Sequence, residues 1–211
     1  SPLVKGVSIG ESVLVFPWIG CGNCYACLDG IESDCMSMQI IGLKQNGGFA
    51  SHIYIEDDRF LVNIDGLNPV DIAPHACSGV TTLNALEKMG QLRDHEWMAI
   101  IGCGGLGLNG ISIALAKNFS NIIAVDVKDD KIQCAKEMGA AHGVNIKHSN
   151  PVKTIQKLAN NNLMGVIDTV GNEMTGSISV QSLSKGGRYI VVGQSGGNFK
   201  LPQIWLPQKS L

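Results

Sequence analysis

From about Trp97 onward, short apolar runs alternate with helix-length amphipathic segments, the pattern that predicts a parallel sheet covered by helices on both faces. The run Trp97, Met98, Ala99, Ile100, Ile101 reads as the first strand of this series. Leu108, Ile111 and Leu115 follow at spacings of three and four, which marks one face of a helix. Asn121 turns the chain into a second strand over 122–125. Asp129 and Asp130 then open a helix running to Met138, where acidic side chains suit the positive end of the helix dipole and Gly139 stops it. A third strand over 142–146, a helix after Pro151, a fourth strand near 166–170, a helix before Gly186 and a fifth strand over 189–192 complete the alternation. After Gly193 the regularity fades.

The first 70 or so residues read differently. Short β-type runs at 12–16 and 53–55 are broken by a cysteine-rich loop and by Gly47 and Gly48, which predicts a second, mainly β piece. With no internal repeat and no low-complexity linker, the two pieces are expected to join near 74–82, giving domains over 1–76 and 77–211.

Length and charge narrow the function classes. The 211 residues suffice for one large or two small domains, and a formal net charge of -2 with 16% charged residues favours neither a nucleic-acid partner nor an acidic tail. No apolar stretch approaches the roughly 20 residues that cross a bilayer, and the first residues lack the pattern of a secretory signal. The expectation is a cytoplasmic protein with no membrane partner. Of the seven cysteines, Cys21, Cys24, Cys27 and Cys35 cluster, while Cys77, Cys103 and Cys134 stand apart. An odd total without a secretion signal fits a reducing compartment in which thiolates serve as ligands.

Gly102, Gly104 and Gly107 form GxGxxG directly after a predicted strand and at the start of a predicted helix, with Gly105 and Leu106 in the same turn. In the dinucleotide fingerprint the first glycine permits the tight turn, the second lets a pyrophosphate approach the backbone and the third allows close helix packing. Asp126 ends the second strand 19 residues after Gly107, where a carboxylate accepts hydrogen bonds from a ribose and repels a 2′-phosphate, so NAD is favoured over NADP. Lys131 can reach the adenosine side too, but a solvated lysine on a helix face is the better account of it. Val170, at the end of the fourth strand, is a further candidate for the cofactor site.

Cys21, Cys24, Cys27 and Cys35 are separated by two, two and seven residues, a set of four thiolates that closes a tetrahedral zinc shell and leaves no position open for chemistry. The competing reading is an iron–sulfur cluster, since the first three share a bacterial ferredoxin spacing. Ferredoxin runs place the fourth cysteine after three residues and follow it with proline, whereas Cys35 precedes Met36.

Taken in order, the cysteine loop, Gly47–Gly48–Phe49–Ala50, the segment 73–82 and the GxGGxG turn resemble the zinc-dependent medium-chain alcohol dehydrogenases along essentially the whole chain. The resemblance implies an α/β fold: a Rossmann-type doubly wound parallel sheet beside part of a GroES-like catalytic domain, with the active site between them. It implies NAD and zinc as cofactors, a small alcohol or carbonyl substrate, and a homodimer or homotetramer. Cys77, followed by Gly79, Val80 and Thr81, resembles a ligand of the family's catalytic zinc, with Thr81 near the nicotinamide and Val192 backing its ring. A buried small hydrophobe is the ordinary alternative for Cys77, and core packing for Val192. The family's other catalytic ligands, a first cysteine and the histidine of a Gly-His-Glu motif, have no counterpart here, so the chain is expected to lack both ends of the family's length and to be inactive alone. His52 and His75 are expected to be structural. A zinc-free quinone or alkene reductase of the same superfamily and a non-catalytic NAD-binding module are the alternatives.

Overall fold

The computed structural model describes residues 6–148 and 150–210. Two compact units emerge, Ser1–Cys77 and Ser78–Leu211.

The first unit is held by two short antiparallel ladders, β1 (Val13–Val15) with β4 (Leu61–Asn63) and β2 (Trp18–Ile19) with β3 (Gln39–Ile40). Between β2 and β3 lie a single helical turn, α1 (Tyr25–Leu28), and a 3-10 turn at Glu32–Asp34. Phe16 and Phe60 stack at 6.5 Å, and Phe60 is buried together with Ile19 and Ile64. The unit closes with α2 (Pro69–Ile72), capped by the Asn68 side chain, and a 3-10 turn at Ala73–Ala76. The run 12–16 thus pairs over Val13–Val15. The run 53–55 forms no ladder, a correction to the sequence expectation. Strand propensity is expressed only where a neighbour takes up the backbone donors and acceptors, and among the described residues none pairs with this run.

In the second unit a twelve-residue helix, α3 (Ser78–Met89), precedes a five-stranded sheet. Along the chain come β5 (Trp97–Ile101), α4 (Gly105–Ala116), β6 (Ile122–Asp126), α5 (Asp129–Glu137), β7 (His142–Asn145), α6 (Pro151–Leu158), β8 (Leu163–Asp168), α7 (Glu173–Ser182), β9 (Arg188–Val191) and α8 (Trp205–Lys209). The sheet order is β7-β6-β5-β8-β9 and every pairing in it is parallel. The strands alternate cleanly between two apolar faces. Met98, Ile100, Ile122, Ala124 and Ile167 join one cluster with Leu86 and Met89 of α3 and Ile111 of α4. Ala99, Ile101, Ile123, Val125 and Val166 join the other with Ile155 of α6 and Ile178 of α7. A sheet buried on both faces needs near-continuous apolar strands, which is why β5 and β6 carry almost no polar residue. The sequence placed the fourth strand too late: it starts at Leu163 and stops at Asp168, because Leu163 and Gly165 are needed to match β5 in register.

Replacing Ile123, fully buried on β6, with alanine is expected to cost about 2–5 kcal/mol. Urea unfolding followed by circular dichroism reads this directly.

Candidate functional site

The chain leaves β5 at Ile101 and enters α4 at Gly105 through the three residues 102–104, so the glycines there meet tight limits. Gly102 has φ of +91°, a conformation that a side chain disfavours. A Cβ on Gly107 would lie 1.8 Å from the Gly102 carbonyl oxygen, so α4 packs this closely on the turn only with glycine there. Gly104 and Gly105 face open space, with no atom within 4 Å of a built Cβ. The N-terminus of α4, with Gly104 as its cap residue, therefore presents bare backbone to whatever approaches.

A cleft of about 430 Å³ opens at this turn. On one side it is lined by Asp126, Val127 and Lys131, and on the other by Thr169, Val170 and Asn172. It lies at the C-terminal ends of β5, β6 and β8, where the chain order in the sheet reverses direction, the position at which open α/β sheets bind ligands. The Asp126 carboxylate is buried and accepts from three backbone N–H groups: Cys103 at 2.7 Å on Oδ2, and Val127 at 2.7 Å and Lys128 at 3.0 Å on Oδ1. It braces the Gly-rich turn against the end of β6. Lys131 is half-buried at the cleft wall.

The structure thus brings together Gly102, Gly104, Gly105, Leu106, Asp126, Lys131 and Val170 at one cleft, with Gly107 packed beneath it. Val192 follows β9, packs on the α3–α4 side of the sheet and is not among the cleft-lining residues. Thr81 lies half-buried on α3, and Cys77 is exposed just after the 3-10 turn that carries His75. His52 is exposed beside Ser51. Sequence reasoning missed Thr169, Asn172 and Ile146 at the cleft, and missed Asp168 beneath it; a carboxylate closing an apolar strand, as Asp126 does, was the available signal.

In the first unit the four sulfurs of Cys21, Cys24, Cys27 and Cys35 lie within 4.8 Å of one another, and Cys21 and Cys27 are 3.9 Å apart. Four sulfurs around zinc, each at about 2.3 Å, stand about 3.8 Å apart. The site fits that ion with small adjustments. Local chain geometry gathers the ligands: Gly22 and Gly30 take positive φ at the two bends, and α1 places Cys24 and Cys27 on one side of a single turn. Arg59 locks the loop from outside through a 2.6 Å ion pair with Glu32, which also accepts from the Gly20 N–H. The backbone N–H groups of Asn23 and Cys24 hold the Cys21 thiol down at about 6, whereas burial, then the neighbouring thiols, push Cys27 up to about 12. Among the described residues this is the one group of three or more such ligands; Cys77 belongs to none.

Comparison with known proteins matches this architecture. The model for the zinc-binding dehydrogenases covers residues 105–211, and that for the alcohol dehydrogenase GroES-like domain covers residues 1–66. The chain belongs to the zinc-binding dehydrogenase family. It is 37% identical over 93% of its length to an NAD-dependent alcohol dehydrogenase of Sulfurisphaera tokodaii, and 34% identical over 97% of its length to one of Saccharolobus solfataricus. It spans 57% and 60% of those two proteins. The solved alcohol dehydrogenase of Aeropyrum pernix superposes with a TM-score of 0.90 at 29% identity, covering all of this chain and 62% of that one. That of Thermus sp. ATN1 gives 0.88 at 25% identity, covering 98% and 63%.

Two outcomes are expected of the thiols in this member of the zinc-binding dehydrogenase family. Burial, then the Asp126 charge, push Cys103 up to about 12, so it stays protonated through pH 6–9 and reacts with iodoacetamide at least about 100-fold more slowly than exposed Cys134. Peptide mass mapping at pH 8 reads the difference. Because Cys27 is protonated at neutral pH, zinc binding must displace its proton; affinity then falls as pH falls. Calorimetric zinc titration of the metal-free protein in buffers of different ionisation enthalpy is expected to show at least about one proton released per zinc at pH 7.

Proposed function

We propose that this chain works in a zinc-dependent alcohol dehydrogenase, which moves hydride between an alcohol and NAD to give the aldehyde or ketone. The observation that carries the reading is the cleft at the sheet's reversal point, where open glycine backbone meets a fixed carboxylate. In this reading residues 77–211 are the NAD-binding domain and residues 1–76 part of a GroES-like domain with a structural zinc loop. The division into units at Cys77 and the family matches support it.

The roles follow from chemistry. The α4 N-terminus and the Gly104–Gly105 backbone receive the pyrophosphate. Asp126 accepts from the adenosine ribose, and its fixed negative charge excludes a 2′-phosphate. Lys131 flanks the adenosine side, Val170 flanks the nicotinamide side, and Val192 acts through core packing. Cys21, Cys24, Cys27 and Cys35 hold a zinc that ties the loop together and takes no part in the reaction. Cys77 is one ligand of a catalytic zinc, and Thr81 lies near the nicotinamide. When bound, zinc would supply Lewis acidity to the substrate oxygen and NAD a hydride acceptor; the Gly104–Gly105 backbone, Asp126 and Val170 would hold the NAD, and the hydroxyl proton would leave to solvent. No second and third ligand accompany Cys77 among the described residues, so the 211-residue chain alone has negligible turnover. No helix among those residues is long and apolar enough to cross a membrane. A cytoplasmic homo-oligomer, dimer or tetramer, completes the reading.

Elemental analysis together with calorimetric NAD titration tests it. About one zinc per chain is expected, with saturable NAD binding that Asp126→Ala weakens by about tenfold while narrowing the gap between NAD and NADP. Iron in place of zinc, absence of NAD binding by the folded chain, or zinc-dependent turnover from this chain alone would count against it.

A further inference from the structure

Beneath the cleft's far wall lies a set of interactions that the cofactor reading does not use. Asp168, the last residue of β8, is fully buried. Its Oδ1 accepts from the backbone N–H groups of Val170 and Gly171, both at 2.9 Å. Its Oδ2 accepts from the Tyr189 hydroxyl of β9, also at 2.9 Å. Its backbone carbonyl takes the N–H groups of Val192 and Gly193, at 2.8 and 3.0 Å. The next residue, Thr169, reaches the other way: its hydroxyl lies 2.9 Å from the Ile101 carbonyl oxygen and 3.0 Å from that of Gly102.

Two residues thus tie together the turns that follow β5, β8 and β9. Their tightness is visible at the glycines. A Cβ on Gly171 would lie 2.0 Å from the Gly193 oxygen, and one on Gly193 would lie 2.1 Å from the Val170 carbonyl carbon. A buried carboxylate is costly unless each oxygen is partnered, and here Oδ1 is partnered by amides of the turn that carries the cleft-lining Val170. The Tyr189 hydroxyl supplies the Oδ2 partner from a neighbouring strand. Tyr189 itself does not line the cleft.

We propose that Asp168 and Tyr189 form a clasp that positions the nicotinamide side of the cofactor cleft. The proposal rests on the reading of the cleft as an NAD site. In a sheet of this order the adenosine half lies toward β6 and the nicotinamide half toward β8. The clasp acts on the β8 side, through residues 169–171, whereas the adenosine side is braced separately by Asp126. Asp168 and Tyr189 are therefore positioning residues whose loss is selective for one half of the ligand.

The test compares NAD with AMP, which occupies only the adenosine half, by calorimetry on wild type, Tyr189→Phe and Asp168→Asn, with hydrogen exchange on the same proteins. Tyr189→Phe preserves shape and removes one donor to a buried carboxylate. It is expected to weaken NAD by about tenfold and to leave AMP within about twofold, while the Val170 and Gly171 amides exchange faster than in wild type. Asp168→Asn keeps an acceptor for the two amides and offers Tyr189 a donor, so it is expected to retain more NAD affinity than Tyr189→Phe. Unchanged NAD affinity in Tyr189→Phe, or equal weakening of NAD and AMP, overturns the clasp alone. Wild type that binds neither ligand overturns the NAD reading and the clasp with it.

Discussion

Everything at the cleft depends on burying β5 on every side. It lies between β6 and β8, with Met98 and Ile100 packed on one face and Ala99 and Ile101 on the other. A parallel sheet delivers all its strand ends to one edge, and helices on both faces then force each chain to leave that edge through a short turn. At the turn after β5, α4 packs so closely that Gly107 has no room for a side chain. The open backbone at Gly104 and Gly105 is thus a by-product of core packing. The same compactness that buries the sheet leaves the backbone at the start of α4 open to the cleft.

Carboxylates at strand ends make that edge rigid. Asp126 and Asp168 both terminate buried strands; Asp126 gives both oxygens to backbone N–H groups of adjoining turns, and Asp168 gives Oδ1 to such groups and Oδ2 to the Tyr189 hydroxyl. Each sits where strand pairing has just ended and the free donors of the turn would otherwise be buried without partners. The two differ in what remains exposed: Asp126 borders the cleft, and Asp168 lies wholly below it. One carboxylate therefore borders the cleft while the other lies beneath its wall.

The first unit solves a different problem. Its ladders are two or three residues long, and much of its apolar surface, including Phe49 and Tyr54, is exposed. A small element with so little core would gain stability from a metal that crosslinks a loop, and the four sulfurs of Cys21, Cys24, Cys27 and Cys35 lie close enough to hold one. The Arg59–Glu32 pair and the Glu32–Gly20 bond set the loop's outer frame before any ion is bound.

The sequence by itself determined the alternation of the second unit, the parallel sheet, the GxGxxG turn with Asp126 and the four-cysteine loop. Each of these is written in local spacing: periodicity of two or 3.6, glycines at a strand-to-helix turn, thiols separated by two, two and seven residues. It misjudged the start of the fourth strand, and it assigned 53–55 to a strand, because register and pairing belong to partners distant in the chain. Tertiary structure alone decided that Asp168, 42 residues beyond Asp126, reaches Tyr189 and the turns after three strands. It also decided that Val192 packs into the core while Thr169 and Asn172 line the cleft. The physical reason is that hydrogen bonds between turns and the choice of which side chain faces a cleft are set by how strands order in the sheet, and that order is a property of the packed core.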